Sequence, residues 1–180
     1  MKLLTQLFLF FLTLNSCIIH IVNDNALDTI DQDIMKKIEI LSSFETTDTS
    51  HIYEITGTQL MEELNKHEGS LVYIFANNCS SENCVPLNVI EKYGHENNLK
   101  VFLVMMSYYH VEESLVQKLE NQLFSINAEE YGISKSRKYI EAFKKDLGYY
   151  DYPTDEKYPG NYIFFKGDSI TSIKHNLNDR

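Results

Sequence analysis

The sequence predicts an α/β protein with a central mixed sheet, helices on its faces and a closing antiparallel hairpin. Three observations predict it. The apolar runs "SLVYIFA" and "LKVFLVMMS" are continuous rather than alternating, as strands covered on both faces are. Segments with apolar residues at helical spacing follow each of them. Near the end, "GNYIFFKGDSITSI" reads as a strand, a Lys-Gly-Asp turn and a second strand. Alternation of strands and helices implies parallel pairing through right-handed crossovers, and the hairpin adds antiparallel character.

The elements follow in order from residue 51. "HIYEIT" alternates as a strand does. "TGTQLMEELNKHEG" reads as a helix closed by Gly69, with Leu60, Met61 and Leu64 inward. After the first buried strand, the segment beyond Cys84 reads as a helix through Leu87, Ile90 and Tyr93 that ends near Gly94. After the second, "VEESLVQKLENQLF" places Val111, Leu115, Leu119 and Leu123 on one helical face. "ISKSRKYIEAFKKDLG" does the same with Tyr139, Ile140, Phe143 and Leu147 and closes at Gly148. Upstream, residues 18–50 are polar and read as a tether carrying one amphipathic element, with Leu27, Ile30, Ile34, Ile38 and Leu41 on one stripe. "KIEIL" within it fits a short strand equally well.

A length of 180 residues suits one domain with a real core, here 51–180. A net charge of −10 leaves no basic surface to neutralise phosphates, which excludes nucleic-acid binding. The opening "MKLLTQLFLFFLTLNSC" has one Lys and an apolar run from Leu3 to Leu14, the form of a signal peptide over 1–17. Its ending "LNSC" resembles a bacterial lipobox, with Asn15 in place of the usual small or aliphatic residue. That resemblance implies lipidation of Cys17 and an exported protein anchored to the membrane of the cell envelope. An exported compartment is oxidising, so cysteine pairs there read as candidate disulfides.

Candidate chemistry centres on "YIFANNCSSENCVPL", residues 73–87. Cys79 and Cys84 are five residues apart. In one regular helix their Cα atoms would lie about 8–9 Å apart, beyond the roughly 7 Å that a disulfide tolerates. Pro86 bears on where the helix starts, because proline is accepted in a first turn and costs about 3 kcal/mol deeper inside. With Ser81 or Asn83 as N-cap, Pro86 falls in or just past the first turn and Cys79 lies in the loop before it. Bonding is then geometrically possible, and the pair reads as a working dithiol, a structural disulfide or two thiols without a role. A copper site with Met105, Met106 and His110 is not supported by ligand spacing, since both methionines sit in a core strand. No metal site and no cofactor are assigned.

The order of elements and the buried strand leading through two residues into Cys79 resemble the thioredoxin-like superfamily, over about 51–174. The resemblance implies that Cys79 is the nucleophile, that Cys84 resolves, and that Tyr158-Pro159 before the hairpin, in cis, shapes a substrate groove with Asn78. The implied activity is thiol–disulfide exchange with protein thiols or disulfides, without a cofactor. The alternative is a redox-inactive binding or structural module with a fixed disulfide. Departures are Asn78 where such enzymes carry Trp, Tyr73 where they carry a buried acid, and Glu82 at the resolving position. "CSSENC" also resembles one branch of the peroxiredoxins, but the Pro and Thr of that branch are absent from "VYIFANN". "GYYDYPTDEKYPGNY" places five tyrosines beside the presumed groove, read either as an aromatic rim or as rings packed under a loop.

Overall fold

A computed structural model describes residues 25–79, 85–156 and 160–177. Its seven strands are β1 (Ile38–Ile40), β2 (Ile52–Ile55), β3 (Ser70–Phe75), β4 (Lys100–Met105), β5 (Leu123–Ile126), β6 (Tyr162–Lys166) and β7 (Ser169–Lys174). They form one sheet in the order β1-β2-β5-β4-β3-β6-β7. The first five in that order pair in parallel, β6 runs antiparallel to β3, and β7 returns antiparallel to β6. The helices are α1 (Gln32–Met35), α2 (Gly57–Leu64), α3 (Leu87–Glu96), α4 (Val111–Leu115) and α5 (Ser136–Asp146).

Successive side chains of a strand point to opposite faces, and both faces are apolar here. Val72, Ile74, Phe102, Val104, Phe124 and Ile126 pack with Leu60 and Leu64 of α2 and Tyr139 and Phe143 of α5. Leu71, Tyr73, Phe75, Leu103 and Met105 pack with Leu87 and Ile90 of α3 and Val111 of α4. The opposite placement of α2 and α3 follows from the crossovers: β2 to β3 moves one way along the sheet and β3 to β4 the other, so crossovers of one hand put their helices on opposite faces.

α2 starts with a capping box between Thr56 and Gln59 and ends at Leu64, one turn before Gly69. It lies so close to α5 that a Cβ on Gly57 would stand 2.6 Å from Asp146 Cβ and 2.7 Å from the Phe143 carbonyl oxygen. The Tyr131 hydroxyl joins the two helices, accepting from Gly57 N at 2.8 Å and donating to Asp146 Oδ2 at 2.7 Å.

Three elements differ from the sequence expectation. The run from Val111 to Leu123 is not one helix: α4 stops at Leu115, and Leu123 begins β5, which sits between β2 and β4. The physical reason is tertiary. The buried Glu91 carboxylate of α3 accepts from Glu120 N at 3.0 Å, Asn121 N at 2.6 Å and Asn121 Nδ2 at 3.0 Å, which stabilises a turn there instead of a further helical turn. The stripe Leu27–Leu41 is a 3-10 turn, the short α1 and strand β1, so "KIEIL" takes its extended alternative and adds an edge strand to the sheet. Leu27, Ile30, Ile34 and Ile38 cover the α3/α4 face, and the Asn25 carbonyl accepts from Tyr108 N at 2.8 Å. Finally, α3 starts at Leu87 with Pro86 itself as the N-cap, later than a cap at Ser81 or Asn83 would give.

Candidate functional site

Four residues beyond the end of β3 the chain reaches Cys79, which is solvent-exposed and disulfide-bonded. The chain's other cysteines, Cys17 and Cys84, lie outside the described residues, as do Tyr158 and Pro159 and the whole signal and lipobox segment. Because α3 begins at Leu87, both Cys79 and Cys84 precede it in sequence, and the separation that one regular helix would impose does not arise from α3.

Asn77 fixes the loop that carries Cys79. Its Nδ2 donates to the carbonyl oxygens of Ser107 at 2.8 Å and Tyr109 at 3.0 Å, and its Oδ1 accepts from the buried Ser114 hydroxyl at 2.7 Å. These bonds tie the end of β3 to the β4–α4 connection and to α4. A second tie closes the start of α3, where Leu87 N donates to Gln117 Oε1 at 2.9 Å. Pro86 has no N–H to satisfy, so the first amide of α3 that needs a partner is the one Gln117 meets.

Cys79 lines two cavities. One, of about 430 Å³, lies between Asn77, the start of α3, and α4 with the residues just after it. The other, of about 220 Å³, lies towards Met106, Gly160, Asn161, Tyr162 and His175. Tyr73 borders both. Its ring stacks on Phe75 and, at 4.3 Å between centroids, on its cross-strand partner Tyr162. Burial raises the pKa of the Tyr73 hydroxyl, and burial followed by the neighbouring Tyr73 raises that of Tyr162. Both phenols are therefore neutral at physiological pH.

The entry to β6 is pinned from α5. Gly160 has φ 118 and lies against the Lys174 carbonyl, where no Cβ fits. Tyr149 donates to the Gly160 carbonyl at 2.7 Å. Lys144 donates to Asn161 Oδ1 at 2.8 Å, with its ammonium 4.6 Å from the centre of the Tyr149 ring. Burial lowers the pKa of Lys144 to about 8.

Among the other residues singled out in the sequence, Asn78 is exposed and borders neither cavity. Met105 and Met106 pack on opposite faces of the sheet, and His110 is exposed beside Glu112 at 3.5 Å, so these three are not brought together. Among the described residues no group of His, Cys, Asp and Glu side chains assembles as a metal site requires. Of the tyrosine-rich loop, Tyr149 and Tyr162 are buried and Tyr150 is exposed, so packing accounts for more of it than a rim does. The sequence reading missed Asn77, Ser114, Gln117 and Lys144. Their partners lie 17 to 37 residues away, and no local pattern marks them.

These features define an α/β protein with helices on both faces of a mixed sheet and an exposed, disulfide-bonded Cys79 beyond the C-terminal end of β3, where open α/β sheets place their sites. No protein-family model, curated protein or solved structure matches this chain. Among the described residues no helix is long and apolar enough to cross a membrane.

Proposed function

We propose that the protein is a thioredoxin-like thiol–disulfide oxidoreductase, with Cys79 as the attacking and attacked sulfur and Cys84 as its partner. The observation that carries this reading is the exposed disulfide of Cys79, held at the end of β3 where two cavities meet. The order of elements supports the fold assignment: β2-α2-β3-α3-β4-α4-α5-β6-β7 is the expected series, with β5 added between α4 and α5. In this reading Tyr158 and Pro159, outside the described residues, belong to the substrate groove, Asn78 lines neither cavity, and Cys17 carries a lipid that holds the exported domain at the membrane. With Cys17 lipidated, Cys84 is the cysteine left to bond Cys79.

The chemistry balances without a cofactor. A substrate thiolate attacks one sulfur of the protein disulfide, forming a mixed disulfide and releasing the other cysteine as a thiolate. A second substrate thiolate attacks the mixed disulfide, the substrate leaves oxidised, and the two electrons remain on the cysteine pair. The reverse sequence reduces a substrate disulfide. The Tyr73 hydroxyl stays protonated near neutral pH and does not serve as a base there.

The test is peptide mapping of the disulfide followed by redox titration of the purified chain, with Cys79→Ser and Cys84→Ser as controls. The expected result is a Cys79–Cys84 bond with a potential in the range of known exchangers, about −270 to −120 mV. A bond below about −300 mV that small thiols leave intact would establish the alternative, a fixed disulfide in a binding or structural module.

A further inference from the structure

We propose that His51 is a pH-operated clasp on the outer strand β1: protonated, it bridges Glu39 of β1 to Asp48, and neutral, it repels Glu39 and lets β1 fray. β1 is the outermost of the parallel strands and pairs only with β2, through three residues. Its ends are held by Ile52 N, donating to the Lys37 carbonyl at 2.8 Å, and Leu41 N, donating to the Glu54 carbonyl at 3.0 Å. β1 also anchors the segment whose Leu27, Ile30, Ile34 and Ile38 cover the α3/α4 face. A short edge strand is among the first parts of a fold to open locally, so a modest bias on it is measurable.

His51 stands directly before β2 with its two ring nitrogens turned to different elements. Nδ1 lies 2.9 Å from Asp48 Oδ1, in the turn that leads into β2. A carboxylate only accepts, so Nδ1 carries a proton in both states of the ring. The same Asp48 oxygen accepts from Ser50 Oγ at 2.6 Å and Ser50 N at 2.8 Å, and Asp48 N donates to the Tyr53 hydroxyl at 3.2 Å. Hydrogen bonds from Ser50 and then His51 hold the Asp48 pKa at about 2, so Asp48 stays a carboxylate throughout. Nε2 faces Glu39 Oε1 at 3.6 Å, from β2 towards β1. Protonated, Nε2 presents an N–H and a positive charge to Glu39. Neutral, with the proton on Nδ1, it presents a lone pair, and attraction becomes repulsion.

The charges acting on the ring are Asp48 in its own turn, Glu39 on β1, and Lys37 at the entry to β1, which opposes protonation. Tyr53 of β2 flanks the imidazole, 6.1 Å between ring centres. The hydrogen bond to Asp48 contributes most and raises the His51 pKa above its ordinary 6.5. Asp48 is three residues away in the same turn, so its effect survives fraying of β1. Glu39 outweighs Lys37 and acts only while β1 is paired. The paired state therefore binds the proton more tightly than the frayed one. The stabilisation is complete below the frayed-state pKa and is lost as the pH rises through the paired-state pKa. Asp48 sets the pH at which the clasp works, and Glu39 is what it holds.

The test is amide hydrogen exchange of the full chain by NMR from about pH 5.5 to about pH 8.5, the range in which an imidazole titrates, with each rate divided by its intrinsic rate. Protection of the Leu41 and Ile52 amides is expected to fall about two- to fivefold across that range, as an exposed ion pair supports. The Val72 and Val104 amides of the core strands are expected to show no such fall. Glu39→Gln should abolish the fall while the carbon-bound ring protons of His51 still titrate above 6.5. His51→Gln should abolish it as well. A wild-type profile without the fall, a fall shared by Val72 and Val104, or a fall that persists in either variant overturns the proposal.

Discussion

The two faces of the sheet are held by different means. On the α2/α5 side, shape does most of it: Leu60, Leu64, Tyr139 and Phe143 are fully buried, and Gly57 lets the two helices touch. On the α3/α4 side, polar side chains fix the elements. Glu91 stabilises the turn before β5, Gln117 caps α3, and Asn77 grips the connection into α4. A five-residue helix such as α4 buries too little to place itself, so it is placed by hydrogen bonds. The lesson is a division of labour. Apolar packing supplies stability on both faces, and on the α3/α4 side hydrogen bonds also place the elements around the opening at the strand ends where Cys79 stands.

Four substitutions break or sharpen that comparison. Phe143→Ala removes a fully buried ring from the α2/α5 face and should cost about 3–5 kcal/mol in urea unfolding. The rate at which dithiothreitol reduces the Cys79 disulfide should stay as in the wild type; a large rise would show that the faces are not independent. Glu91→Ala leaves three donors without their acceptor and should cost about 2–3 kcal/mol. Its signature is faster hydrogen exchange at the amides of Glu120 and Asn121.

Lys144→Met acts in the opposite direction. Burial holds the folded-state pKa at about 8 against the usual 10.5, so between those values the unfolded chain binds the proton that the folded one has released. Wild-type stability therefore gains from rising pH across that window, and below it the buried charge costs about 3 kcal/mol. The variant should be more stable than wild type at pH 7, with the difference shrinking towards pH 10. A difference that is flat with pH would remove this account. Asn77→Ala should cost the least, about 1–2 kcal/mol, yet speed reduction of the Cys79 disulfide by freeing its loop from Ser107, Tyr109 and Ser114.

β3, β4 and the β6–β7 hairpin were legible because a strand buried on both faces is a continuous apolar run, and a turn with Gly167 at φ 58 follows Lys166. β5 was not. Val111, Leu115, Leu119 and Leu123 are spaced as a helix would space them, and the group that decides otherwise, Glu91, lies about thirty residues upstream. The position of Cys79 could be read from where the apolar run ends. Asn77 could not, since an Asn two residues earlier looks like any loop residue until Ser107 and Tyr109 are brought beside it. Lys144 follows the half-buried Ile140 by four residues on α5, a faint sign that its stem lies on the inner side of an otherwise basic helix.

The bond between the Asn25 carbonyl and Tyr108 N roots the start of the described chain on the loop that Asn77 grips. From Cys17 to Asn25 is eight residues, a span of at most about 28 Å when fully extended. With the lipid we propose on Cys17, the leash from bilayer to this loop is no longer than about one hydrocarbon thickness. The cysteine pair would then sample a thin layer of fluid along the membrane rather than the whole compartment. Encounters would be governed by lateral diffusion and by what other proteins display at that height. Lengthening residues 18–24 would widen that layer without touching the sheet.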